Sequence, residues 1–174
     1  MQRFHSLRAG VLALATLALV SCEQGAVSPA DSSGFRAQYF AARDALEAGK
    51  YDRASRTYLR LLTRAGPLEP RIRLEYAHSL LRGEKYAEAA REARILARSQ
   101  NGTARAAALA VQATAEHELG LAAIDAGDRN TGRSLLQQAD SAISEVLGSD
   151  PALDPLGALA GRQASIRVRL KSQD

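Results

Sequence analysis

The chain has a single cysteine, so no internal disulfide is available and stability has to come from apolar packing. It is also short of long apolar runs. The longest apolar run, residues 9–20, spans 12 positions, well below the roughly 20 that a membrane-crossing helix needs. Lysine is nearly absent, with Lys50, Lys85 and Lys171 against many arginines, which reads as a base-composition habit of the source genome. Two histidines, His78 and His117, follow the first 22 residues. Glu116, His117 and Glu118 do not continue into the paired-histidine zinc motif. No glycine-rich phosphate loop follows a strand, because no strand pattern is evident, and no serine sits in a nucleophile elbow. These absences lead us to expect a non-enzyme with no cofactor and no metal site.

What is present begins at the N-terminus. Residues 1–8 carry Arg3 and Arg8 and no acid, 9–20 are uncharged, and small Ser21 precedes Cys22, the layout of an export signal with its cleavage site. The quartet Leu19, Val20, Ser21, Cys22 resembles the lipobox of bacterial lipoproteins. That resemblance implies a diacylglyceryl group on the Cys22 thiol, cleavage just before it, and acylation of the new amine. Two or more chains anchor stably where one is marginal, each buried methylene contributing about 0.8 kcal/mol. Loss of 1–21 removes two arginines and no acids, so the balance of 23 basic against 19 acidic residues becomes 21 against 19. Such a balance is no nucleic-acid signature. The 153 residues that remain of 174 suffice for one domain with a real core.

Residues 23–34 are rich in Ser, Gly, Pro and acid without apolar period, so 22–34 read as a lipidated flexible tether with a reach of roughly 20 Å. From Phe35 on the pattern is helical. A shift of 35 places Arg36 on Arg71, Ala42 on Ala77, Leu46 on Leu81, Lys50 on Lys85, Tyr51 on Tyr86, Ala54 on Ala89, Arg56 on Arg91 and Leu61 on Leu96. Tyr51, Ala54, Tyr58 and Leu61, and likewise Tyr86, Ala89, Ala93 and Leu96, recur at steps of three and four, each set one stripe of an amphipathic helix. Gly49 and Gly83 precede those tyrosines, where a helix end calls for a residue tolerant of positive φ. Seven helices are predicted, over 35–48, 51–65, 70–82, 86–99, 103–126, 130–147 and 155–171. Asp154 and Pro155 serve as N-cap and first-turn proline of the last, with Leu156, Leu159, Ile166 and Leu170 inward and Arg162, Arg167, Arg169 and Lys171 outward.

These residues resemble the tetratricopeptide repeat family. Counted from Phe35, Ala42, Gly49, Tyr51, Ala54 and Tyr58 fall on its small, turn and aromatic positions. Counted from Pro70, Ala77, Leu80, Tyr86 and Ala89 match, Ala93 replaces the second aromatic and Gly83 is displaced by one. From Ala113, Leu119, Gly120 and Gly127 match, but Gly132 stands where alanine is usual and Arg129 where an aromatic is usual. The resemblance implies an all-α, right-handed solenoid of about three helix-turn-helix repeats plus a C-terminal capping helix over 35–174, after the cleaved signal. A helical bundle without repeat geometry is the plainer alternative.

It implies further a groove lined by the first helix of each unit: Arg36, Tyr39, Arg43 and Glu47, then Arg71, Leu74, His78 and Arg82, then His117, Leu121 and Asp125. Guanidinium groups beside Tyr39 suit carboxylates or aromatic groups, while the same arginines in an arginine-rich chain are also ordinary surface charges. A second arginine row, Arg53, Arg56, Arg60 and Arg64, lies along one face of a second-position helix.

The expected function is a membrane-anchored periplasmic adaptor that binds a protein partner, an acidic or C-terminal segment, in envelope assembly of pili, secretion systems, outer-membrane proteins or polysaccharide export. Nucleic acid is not expected as a partner. Glu23 is not the aspartate that retains relatives at the inner membrane, which favours the periplasmic face of the outer membrane. A small envelope enzyme or peptidoglycan-binding factor is the alternative. Cys22→Ala is expected to abolish labelling by an alkyne fatty acid in cells and to leave an uncleaved or soluble product; undiminished labelling would refute the lipid assignment.

Overall fold

A computed structural model describes residues 29–172. The signal 1–21, Cys22 and the tether as far as residue 28 lie outside the described residues. Seven α-helices run in order: α1 Pro29–Glu47, α2 Tyr51–Leu62, α3 Glu69–Arg82, α4 Tyr86–Ser99, α5 Gly102–Asp125, α6 Arg129–Ser149 and α7 Ala158–Lys171. Short 3-10 segments at Gly66–Leu68 and Pro151–Leu153 join the second helix to the third and the sixth to the seventh. Among the described residues there is no strand. Each helix packs chiefly on the one before and the one after it, and α3 also touches α5. The protein is an all-α helical-repeat solenoid: three hairpins stacked in chain order and a seventh helix laid on the last.

The hairpins share one turn. Gly49 has φ +71, Glu84 φ +59 and Gly127 φ +87. In each case the next residue reaches back five positions, Lys50 N to Ala45 O at 2.8 Å, Lys85 N to Leu80 O at 2.9 Å and Asp128 N to Ala123 O at 2.9 Å. The left-handed residue itself bonds three back, to Leu46, Leu81 and Ile124. This is a Schellman closure, which satisfies carbonyls that a helix end leaves without partners. The following residue then caps the next helix with nearly constant geometry, Lys50 at φ −85 and ψ 59, Lys85 at −84 and 60, Asp128 at −85 and 74.

That geometry corrects the expectation for Gly83, whose φ is −91. The left-handed position belongs to Glu84, 35 residues after Gly49, and Gly83 serves close packing instead. A Cβ there would stand 3.1 Å from Tyr51 Cβ and 3.3 Å from Ser79 O.

Alanine dominates the interior. Ala42, Ala54, Ala77, Ala89 and Ala93 are fully buried, and Tyr58, Leu61, Ile72 and Leu80 fill the spaces that such small contacts leave. The third hairpin goes further. A Cβ on Gly132 would lie 2.5 Å from Ile124 Cγ1 and 2.8 Å from Gly120 O, so α5 and α6 cross too closely for the usual alanine. Two apolar clusters result, one centred on α1 to α4, the other on α5 to α7 with the end of α4.

Helix limits differ from expectation mainly at the ends. The first helix begins at Pro29, inside the span read as tether, since Pro29 is a favourable first helical residue. The last begins at Ala158, because Gly157 turns left-handed at φ +71. Asp154 still caps it, accepting from the N–H groups of Leu159 and Ala160 at 3.0 Å each. Pro155 and Leu156 precede that helix, so Leu156 stays 93% exposed where an inward position was expected, while Ile166 is buried and Leu159 and Leu170 half-buried.

Glu84 holds a backbone conformation that costs a side-chain-bearing residue about 1–2 kcal/mol. Glu84→Gly is expected to raise stability by about 1 kcal/mol after the glycine's entropy loss on folding, measured as a higher chemical-denaturation midpoint.

Candidate functional site

The first helices of the first two hairpins carry a continuous polar face. On α1, Arg36, Arg43 and Glu47 are exposed and Tyr39 half-buried; on α3, Arg71 and Arg82 are exposed and His78 half-buried. Tyr39 joins the two helices, donating from its hydroxyl to Glu75 Oε1 at 3.3 Å and accepting from Arg71 Nη2 at 3.2 Å. The Arg71 guanidinium lies over the Tyr39 ring, 5.6 Å from its centroid. Beneath, the ring meets that of buried Tyr58 edge-on at 6.2 Å. Arg43 pairs with Glu47 at 3.3 Å on its own helix.

The stacking recurs one turn-region along. Arg82 lies 5.4 Å above the Tyr51 ring and donates to its hydroxyl at 3.0 Å. A guanidinium laid on an aromatic ring loses rotamer freedom before any ligand arrives and keeps donors free at its edge. Both arginines are therefore pre-set for an acceptor. His78 stands in the same row, and its burial holds the imidazole pKa below 6.5, with Glu75 opposing and Arg82 reinforcing that shift.

The third hairpin contributes little to this face. Leu121 packs into the second apolar cluster, as does Leu74 of α3, so neither lines an open groove. Asp125 is exposed at the last position of α5. His117 is only 9% exposed, because α7 covers it. Arg162, expected to point outward, instead reaches from α7 to Glu118 Oε1 at 2.6 Å and to His117 Nδ1. Gln163 and Arg167 hold the same helix to α6 through Ser144 at 2.7 Å and Asp140 at 2.8 Å.

Three polar groups escaped the sequence reading. Glu75 lies one helical turn from Arg71 and three residues from His78, a stripe signal that was legible but passed over for Leu74. Glu92 and Glu116 gave no signal, because each becomes informative only through neighbours distant in sequence. Glu92 accepts from Arg73, and Glu116, wholly buried, accepts from Arg94 at 2.5 Å and Gln112 at 3.0 Å. Glu116 Oε2 has no partner among the described residues. No group of three or more His, Cys, Asp or Glu among the described residues is placed to hold a metal ion.

No protein-family model, no curated protein and no solved structure matches this chain.

Neutral His117 accepts from Arg162 at Nδ1; protonated, it donates to Glu118 at 3.1 Å and faces the Arg162 cation. Burial is the main cause that lowers its pKa below 6.5, aided by Arg162 and Arg169 and opposed by Glu118. A lowered folded-state pKa means that the contribution of the neutral ring is whole above 6.5 and fades as pH falls below it. Amide exchange of α7 is thus expected to quicken as pH drops through that range, after correction for intrinsic rates, and to respond less in His117→Gln.

Proposed function

We propose that this chain is a lipid-anchored adaptor of a bacterial cell envelope that grips an acidic segment of a protein partner along the face of α1 and α3. The observation that carries the reading is the pair of arginine–tyrosine stacks, Arg71 on Tyr39 and Arg82 on Tyr51, at 5.6 and 5.4 Å. A stacked guanidinium presents parallel N–H donors to a carboxylate with little ordering cost remaining, which is the condition for bidentate recognition. Half-buried His78 sits between them in sequence, and Glu75 sets the register by holding the Tyr39 hydroxyl. Glu47, paired with Arg43, adds a carboxylate at the α1 end that would repel a uniformly acidic ligand there and so orient it.

Support for anchoring comes from the lipobox-like quartet ending at Cys22. None of the described helices is long and apolar enough to cross a membrane. With the acyl group at one end and the stacked arginines on a first-helix face, the protein would hold its partner at a fixed distance from the bilayer. Envelope assembly, of pili, secretion systems, outer-membrane proteins or polysaccharide exporters, is the class of process that uses such a tethered holder. The periplasmic face of the outer membrane is the site favoured by Glu23 after the acylated cysteine.

Arg71→Glu combined with Arg82→Glu is expected to reduce crosslinked partner recovered from cells at least tenfold, the loss of about 1.4 kcal/mol or more, with helical circular dichroism intact. Undiminished recovery would clear this face of the role. Retention of the delipidated chain on purified cell wall, with no protein partner recovered, would replace the adaptor reading with a wall-binding one.

A further inference from the structure

Seven arginines of this fold answer a carboxylate, Arg43, Arg73, Arg91, Arg94, Arg105, Arg162 and Arg167. The row along α2, with Arg64 two residues past its end, does not. Arg53, Arg56, Arg60 and Arg64 are all exposed, and none makes an ion pair with a described residue. Arg60 donates to the Thr57 hydroxyl at 3.1 Å and Arg64 to the Gln38 side-chain oxygen at 2.7 Å, both neutral acceptors. The only acid on the helix, Asp52, is occupied by Lys85 at 2.6 Å.

Among these cations Leu59 stands 50% exposed. The second helix of the next hairpin repeats the combination, with Ile95 at 45% exposure between exposed Arg91 and Arg98. In the third hairpin the equivalent helix turns Ser134, Gln137, Gln138 and Ser141 outward instead. Positive charge and a protruding aliphatic side chain therefore coincide on the second helices of the first two hairpins, whereas α6 exposes Arg129 with no protruding aliphatic side chain beside it.

Chain length sets how far this face stands from residue 22. Pro29 lies seven residue steps from Cys22, at most roughly 25 Å of extended chain. Gln38, bonded to Arg64, lies nine residues into α1, about 14 Å along its axis. The C-terminal end of the arginine row is thus at the anchored end of the array.

We propose that the outward face of α2, continued by α4, rests on an anionic bilayer surface, with Arg53, Arg56, Arg60 and Arg64 engaging acidic headgroups and Leu59 seated among them. Unpaired guanidinium groups on a surface helix are drawn to negative headgroups, and a flanking aliphatic side chain enters the interfacial layer that they open. Nearness to the bilayer rests on the lipid-anchored reading; the composition of the face does not. Such a seating turns the opposite side of the hairpins, with Arg71 and Arg82, toward the aqueous compartment.

The chain has no tryptophan, so Leu59→Trp supplies a unique reporter, with Ser141→Trp on the uncharged outward face of α6 as control. The mature acylated protein, reconstituted in phosphatidylcholine vesicles with or without phosphatidylglycerol, is examined by quenching from bromine-labelled acyl chains. The Leu59→Trp reporter is expected to be quenched several-fold more than the Ser141→Trp reporter when phosphatidylglycerol is present. Arg56→Glu with Arg60→Glu should erase that difference while vesicle flotation and helical circular dichroism persist. Equal quenching at the two positions, quenching indifferent to phosphatidylglycerol, or quenching that survives charge reversal would overturn the proposal. Flotation is read separately: a chain that fails to float with neutral vesicles would refute the anchor, while the same two reporters with phosphatidylglycerol vesicles added from outside still decide the face.

Discussion

The structure depends on one backbone event, the left-handed residue at which each hairpin reverses. With a single residue at positive φ and two back-bonds, the chain turns through a hairpin in three residues and satisfies two of the carbonyls that the helix end would leave open. So short a connection leaves little freedom in how the second helix meets the first. It presents the alanine-bearing stripe of one helix to that of the next at close range, and the packing of the whole array follows from repeating that step. The 35-residue interval between Gly49 and Glu84, and the longer one to Gly127, measure how much helix is hung between successive turns.

Alanine-to-alanine contact gives little apolar area per residue, so the array compensates through approach. Gly120 and Gly132 in the third hairpin are the extreme, with backbone nearly in contact with backbone and Leu136 closing over the gap. Arginine takes a complementary part. Long guanidinium side chains bridge the helices, Arg73 to Glu92 and Arg105 to Glu145 at 2.5 Å within hairpins, Arg94 to Glu116 and Arg162 to Glu118 between one layer and another. The Arg105–Glu145 pair, with Glu145 exposed, is worth little by itself. Glu116 is the exception, since a wholly buried carboxylate depends on its cation.

Much of this was legible in the sequence because helical periodicity is local. Tyr51, Ala54, Tyr58 and Leu61 declare their shared face without any knowledge of what covers it, and all but Tyr51 are fully buried. Turn chemistry was less transparent. A glycine at 83 reads naturally as the positive-φ residue, yet Glu84 occupies that position and the glycine makes room for Tyr51. Tyr39, Arg71 and Arg82 share one polar face, as their helical spacing suggests, and contacts between the first two hairpins link them to Glu75 and Tyr51. Leu74, His117 and Leu121 are covered instead, because helices far along the chain, α7 above all, set their environments. A stripe pattern says which residues share a face, and only the next layer says whether that face is open.

The two apolar clusters interleave at the join of α4 and α5: Leu96 and Ala97 of α4 pack with the later helices, Ala115 and Leu119 of α5 with the earlier ones, and Arg94 crosses to Glu116. The final layer is held more sparsely, α7 resting on its neighbours through Ile166, Leu159 and Leu170 and the polar bonds of Arg162, Gln163 and Arg167. A stack whose last layer is its least packed frays from that layer, so pulling on the tail would peel α7 away before any hairpin parts from the next.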